Sequence, residues 1–154
     1  GTGCVMDFRF SLEMTVRDYE CDFQGIVNNA VYLNYLEHTR HVFAKKVGLD
    51  VVELATRGIN VVLVRSEVDY RAPLRSGDAF VVGLDVERLS RLKFAFDQRI
   101  YRLPVGDHVE DVEVYTRTNL ILKARMTATA VNDRGRPFLP PELDVLFKKA
   151  KMDN

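Results

Sequence analysis

Asp22 stands ahead of Gly25, Asn28 and Asn29, and a long apolar segment follows. This order puts a carboxylate seven residues before the start of an expected helix. A helix start offers unpaired N–H groups and the positive end of the macrodipole, which suit a carbonyl oxygen gaining negative charge. A carboxylate beside it can act as general base on water or attack an acyl carbon directly. Gly25 permits a positive φ and a close approach of backbone to a bound chain. The competing role for Asp22 is a turn aspartate that caps its own loop, and residue pattern alone favours that role. Asn28 and Asn29 are expected to be caps first and substrate contacts second.

Other groups carry less chemistry. Glu37 is a second carboxylate, either an acid or base on the helix or a charged residue at a subunit interface or paired with Arg40. His38 and His41 share a helix face but lack a third ligand, so no metal site is expected. There is no Gly-x-Ser-x-Gly elbow, which argues against a serine-hydrolase triad. Cys21 reads as a small buried apolar residue rather than a nucleophile.

The chain has 154 residues, 47% hydrophobic and 29% charged, which fits one domain over 1–154. Lys+Arg and Asp+Glu are both 22, a balance that argues against a nucleic-acid or membrane-surface partner. Two cysteines at this spacing make neither a disulfide framework nor a metal site. No apolar run approaches the roughly 18 residues that span a bilayer, and no secretory pattern opens the sequence. A cytoplasmic protein is expected.

The elements that must position Asp22 follow from periodicity. Residues 8–17 alternate, with Phe8, Phe10, Leu12, Met14 and Val16 on one face of a strand. A helix is predicted over about Ala30 to Val47, ending at Gly48, with an apolar side broad enough to be largely wrapped. A short helix covers Asp50–Arg57. Four strand-like stretches follow. Val62, Val64, Val68 and Tyr70 alternate in the first, and Phe80 to Val86 in the second. The third carries Leu92, Phe94, Phe96 and Ile100, and the last runs from about Val112 to Val131 with Leu120 and Leu122 in phase. Pro104-Val105-Gly106-Asp107 reads as a hairpin loop, and a helix with Leu143, Leu146, Phe147 and Ala150 on one face closes the chain. Consecutive strands on short turns pair antiparallel, and one apolar helix against them makes an α+β domain.

Three motifs carry a resemblance. They are Asp22-x-x-Gly25-Ile26-Val27-x-Asn29-x-x-Tyr32 followed by Glu37 and Arg40, then Tyr70-Arg71-Ala72-Pro73-Leu74-Arg75-Ser76-Gly77-Asp78, then Asn132-Asp133-Arg134-Gly135-Arg136-Pro137. In this order they resemble the hotdog-fold acyl thioesterases of the 4-hydroxybenzoyl-CoA thioesterase-like group. Arg17-Asp18-Tyr19-Glu20 with Val27 to Tyr32 is most similar to the acyl-lipid thioesterases of plants and their bacterial relatives, which act on fatty acyl-ACP. The resemblance implies a hotdog fold, a long central helix wrapped by a curved antiparallel sheet. It implies Asp22 as catalytic carboxylate, the backbone N–H near Asn29 as carbonyl donor, and Gly25, Ile26, Val27 and Tyr32 beside the substrate. Position 29 is histidine or aromatic in many bacterial relatives, so Asn29 is expected to act through its main chain. Arg88, Ser90 and Arg91, with Lys93, could hold CoA phosphates or acidic residues of an acyl carrier protein at a strand–strand turn; a solvated hairpin end is the equal alternative. The implied substrate is an acyl-CoA or acyl-ACP thioester, within fatty acid metabolism. No cofactor is implied, and a homodimer or homotetramer forms by edge-to-edge pairing. An acyl tunnel would be lined by Phe94, Phe96, Tyr32, Tyr35 and Val62. A hydratase or dehydratase using Asp22 with Glu37, or a non-catalytic acyl-binding protein, would fit the same fold.

Overall fold

The computed structural model describes residues 8–104 and 112–148. Strand β1 is Phe10–Thr15, helix α1 is Asn29–Lys46 and helix α2 is Val51–Thr56. Strands β2 (Asn60–Tyr70), β3 (Ala79–Arg88), β4 (Phe94–Leu103), β5 (Leu120–Val131) and β6 (Pro137–Phe138) follow. The sheet is antiparallel throughout, in the order β1-β3-β4-β5-β2. β6 takes the β4 side of β5 beyond Ala128, pairing Ala130 with Phe138. This is the hotdog arrangement, with α1 as its central helix against one face of the sheet.

Tyr32, Tyr35, Leu36, Thr39 and Phe43 are the buried side of α1. They meet Phe80, Leu84, Phe94, Ile100 and Leu122 in the main core. The helix is not wrapped on all sides as its composition suggests. Leu33, Asn34, Glu37, His38 and His41 are exposed, because this chain supplies only one sheet for the helix to lie on. Gly48 ends the helix segment at φ +86°, as its position predicts.

Two β-bulges break the expected alternation. In β2, Leu63 faces Ala128 and Arg65 faces Thr127, which leaves Val64 as the extra residue. Val61, Leu63, Val68 and Tyr70 therefore share the core side, while Val62 lies opposite Thr129 on the outer side. In β5 the register shifts between the partners of Ile100 and Tyr101. Leu122 stays in the main core, and Leu120 turns outward to a second apolar cluster. The last strand begins at Leu120 and not near Val112, because 112–114 forms a short 3-10 turn.

That second cluster joins Phe8, Val81, Tyr101, Leu103 and Val114. A bend at Arg9 sends Phe8 to the opposite face from Phe10, against the simple alternation of residues 8–17. Its ring lies over Gly83, where a built Cβ would come within 2.4 Å of it. Only the absent side chain at position 83 lets Phe8 cover the sheet. The C-terminal helix is a 3-10 segment over Pro141–Phe147 that buries Leu143 and Leu146. Ala150 and residues 105–107 of the proposed hairpin loop lie outside the described residues. Among the described residues no helix is long and apolar enough to cross a membrane.

Candidate active site

Cys21 and Val27 form an antiparallel bridge, and the five residues between them make a tight loop. The Asp22 N–H donates to the Ile26 carbonyl at 2.9 Å and the Gly25 N–H to the Asp22 carbonyl at 3.0 Å. Gly25 sits at φ +78°, a conformation that a side chain would strain. Asp22 Oδ1 accepts from the N–H groups of Gln24 at 2.9 Å and Ile26 at 3.3 Å. The turn-aspartate role is therefore real, and it uses one oxygen. The residue remains exposed, and its Oδ2 has no hydrogen-bond partner among the described residues.

The loop rests on a second one. Ile26 bridges Arg75, and the Val27 N–H donates to the Leu74 carbonyl at 2.9 Å. The Tyr32 hydroxyl accepts from the Leu74 N–H at 2.8 Å. Tyr32 is 3% exposed, so it supports the site through Leu74 rather than by touching a ligand. Its place in the motif was legible, and its role was not.

Asn28 occupies the N-cap position of α1, yet its side chain makes no cap hydrogen bond. This corrects the expected use of Asn28 and Asn29 as side-chain caps. The Asn28 N–H is instead taken by the Glu20 carbonyl at 3.3 Å, which anchors the backbone. Asp50, at the start of α2, shows the cap that α1 lacks, accepting from Glu53 N–H at 2.9 Å. The first turn of α1 thus presents N–H groups without a side-chain acceptor, next to the Asp22 loop.

Arg88, Ser90 and Arg91 do not join this site within one chain. β3 separates them from it by nine residue steps, roughly 30 Å in a strand. Arg88 donates to the carbonyls of Ser90 and Arg91 and lies 3.9 Å from Asp144, and Ser90 Oγ accepts from Leu92 and Lys93 N–H groups. These side chains fold their own turn. Cys21 is not poised as a nucleophile, since burial and the carboxylates of Asp18, Asp22 and Glu20 push its thiol up. Among the described residues no cluster of His, Cys, Asp and Glu could hold a metal ion.

A groove of about 860 Å³ opens along α1 beyond its first turns. Glu37, Arg40 and Ala44 form one wall, Val61 and Leu63 of β2 the other, and Phe94 and Phe96 lie between. Asn29, Leu33, Glu37, Arg40 and Ala44 recur at spacings of three and four, so one helix stripe leads from the helix start into the groove. Phe94 and Phe96 line it as expected, whereas Tyr32 and Tyr35 are in the core and Val62 is on the outer face. Arg40 donates to the fully buried Gln98 at 2.9 Å, and Gln98 donates to the Leu36 carbonyl at 3.0 Å. Burial lowers the pKa of Arg40 and Glu37 opposes that shift. Sequence reading missed Gln98, since a lone glutamine in an apolar strand gives no signal.

The pattern of the thioesterase-like superfamily matches residues 16–145. Over 130 residues the chain is 42% identical to the acyl-acyl carrier protein thioesterase ATL3, chloroplastic, of Arabidopsis thaliana, covering 84% of this chain and 62% of the relative. It is 35% identical to ATL2, chloroplastic, of the same plant, covering 84% and 63%. The chain therefore spans less than two thirds of the length of these relatives. The fold superposes on Slr0204, a 1,4-dihydroxy-2-naphthoyl-CoA thioesterase from Synechocystis, with a TM-score of 0.77 at 19% identity, covering 94% of this chain and 98% of that one. At that identity the likeness speaks for the fold.

Burial holds the phenols of Tyr32 and Tyr35 above their ordinary range, and the Glu20 carboxylate adds to the effect at Tyr35. The folded state therefore favours both neutral phenols. Their contribution to stability is complete below about pH 10, the unfolded tyrosine value, and declines as pH rises above it. Urea unfolding across alkaline pH should show that decline, and it should be shallower in the Tyr32→Phe/Tyr35→Phe protein.

Proposed function

The chain belongs to the thioesterase-like superfamily, and on that footing we propose that it hydrolyses acyl thioesters with Asp22 as the catalytic carboxylate. The observation that carries this reading is the loop that holds Asp22 beside an uncapped helix start. A thioester carbonyl oxygen set against the N–H groups at Asn29 would gain donors where its charge develops. Asp22 removes a proton from water, the hydroxide adds to the carbonyl carbon, and the C–S bond breaks. The thiolate then takes the proton, leaving free acid and thiol. Direct attack by Asp22 to give a mixed anhydride uses the same geometry, and water then splits the anhydride. Ile26, half-buried on the same loop, flanks the reacting group in either case, while Val27 is buried in the core behind it.

Glu37 is the poorer partner for this chemistry. It lies eight residues past Asn29, about 12 Å along the helix axis. That distance also disfavours a hydratase mechanism that would set Asp22 and Glu37 on one substrate carbon. Replacement of Asp22 by asparagine should lower kcat for acyl-CoA and acyl-ACP hydrolysis by about 100-fold or more while thermal unfolding is unchanged. Wild-type turnover in that variant would remove Asp22 from the mechanism.

The acyl chain is placed along the stripe from Asn29 into the groove. The volume and the apolar part of the lining, Val61, Leu63, Phe94 and Phe96, suit an aliphatic chain, and the plant relatives are acyl-acyl carrier protein thioesterases. A thiol-release screen should find long acyl chains preferred. Ala44→Trp should cut kcat/KM for long chains at least tenfold and spare short ones; an equal loss at every length would place the chain elsewhere.

A second copy completes the assembly. β2 is an edge strand of eleven residues that is exposed along nearly its whole length. Val61, Val62, Leu63 and Val64 are each 36% exposed or more. Such an edge is a template for pairing, and a second β2 would cover it and roof the groove. Light scattering should report a dimer or tetramer for the wild type and a smaller species for Val62→Glu/Val64→Glu.

A further inference from the structure

Glu20 is two residues before Asp22 and is not on the motif that first marks the site. Besides the turn bond from its own N–H to the Arg17 carbonyl at 2.9 Å, it has three connections. Its Oε1 accepts from the Tyr35 hydroxyl at 2.8 Å and from the Arg17 N–H at 2.8 Å. Its carbonyl accepts from the Asn28 N–H at 3.3 Å. One residue thus ties the end of the first strand segment, the first residue of the helix start and the second turn of α1. Tyr35 is 5% exposed, with its ring 4.6 Å from that of Phe80, so its hydroxyl is held by the core.

Tyr32 makes the matching connection on the other side. Its hydroxyl binds Leu74 N–H, and the Leu74 carbonyl binds Val27 N–H, on the far end of the same loop. Each end of the Asp22 loop is therefore fastened to a tyrosine on α1, one at Glu20 and one by way of Leu74. Between these anchors the Cys21 N–H donates to the Asp18 carbonyl at 3.2 Å, and the rest of the loop carries its own internal bonds and the bridge from Ile26 to Arg75.

We infer that Glu20, held by Tyr35, is a positioning residue that sets the distance between the Asp22 carboxylate and the N–H groups at the start of α1. A polar pair this close to the core is more than a turn feature. A reacting carbon must lie within reach of both Asp22 and the helix start, and a shift of about 1 Å is enough to cost on the order of a hundredfold in rate. Glu20 touches neither the substrate nor the reacting atoms in this scheme. The inference rests on the proposed thioesterase reading, and it has a readout that does not.

The test compares Glu20→Ala, Glu20→Gln, Tyr35→Phe and the double Glu20→Ala/Tyr35→Phe protein with the wild type. In Glu20→Ala and Tyr35→Phe, kcat should fall about tenfold to a hundredfold with KM within threefold. Glu20→Gln keeps an acceptor oxygen for the Tyr35 hydroxyl and should restore most of the rate. The double variant should be no slower than Glu20→Ala alone, because both changes break one connection. Amide hydrogen exchange at Gln24 and Ile26 should speed at least tenfold in Glu20→Ala, with β4 unchanged. Unchanged kcat, a loss confined to KM, multiplied losses in the double variant or unchanged loop exchange would overturn the inference. An inactive wild type would instead overturn the thioesterase reading, and the exchange measurement would still decide the role of Glu20.

Discussion

The start of α1 has no side-chain cap and is nonetheless fixed in place, and two tyrosine hydroxyls do the fixing. Tyr32 and Tyr35 are three apart, so both point from α1 toward the same end of the sheet. Their rings are core residues, and their oxygens reach the two loops that surround the helix start. Because the fastening comes from below, through Glu20 and Leu74, no side chain needs to cap the first turn from above. The first turn stays uncapped by any side chain while its backbone is anchored at Asn28. A capping serine or aspartate would have secured the helix more simply and occupied the same N–H groups.

The sheet supplies the rigid platform for this arrangement and pays attention to its two faces differently. On the core face the middle stretches of β3, β4 and β5 are apolar except where Gln98 links Arg40 to the Leu36 carbonyl, and Arg88 and Arg102, opposite Phe94 and Phe80, stand near the strand ends. On the outer face Arg125 binds Asp97 and Glu87 across neighbouring strands. That pairing relieves the placement of Asp85 directly opposite Asp97. The bulge at Val64 changes the phase of β2 in its middle, so that Val61 and Leu63 line the groove while Val68 and Tyr70 join the core. Without the bulge one half of β2 would turn the wrong side to α1.

The candidate site is built on loops, as binding and catalytic groups often are, and its loops are short and doubly bonded to one another. One carboxylate oxygen of Asp22 closes the turn, and that leaves the proposed chemistry to the other. The exposed edge of β2 and the half-open groove beside α1 belong together in the same way. Both are surfaces that a single chain leaves unfinished, and one second strand would close both.

Much of this protein was legible in its residues. Alternating apolar positions gave the strands, the run after Asn29 gave α1, and glycines at 25 and 48 marked turns that need a positive φ. The motif around Asp22 and Asn29 marked a loop and helix start that the fold does bring together. Periodicity could not foresee the bulges at Val64 and Ile121 or the reversal of Phe8, because a single inserted residue flips a strand's face without changing its composition. Nor could it assign Asn28, whose type suits a cap, since whether a side chain caps depends on what else reaches that backbone. The distance of Arg88, Ser90 and Arg91 from Asp22 within one chain was hidden for a similar reason: distance along a strand becomes distance in space only once the strand order is known. Local structure is written residue by residue, and so the sequence determined the elements and the turn that carries Asp22. The tertiary structure alone decided which hydroxyls hold the loop, which arginines are remote, and which face of each strand meets the helix, because those depend on contacts between residues far apart in the chain.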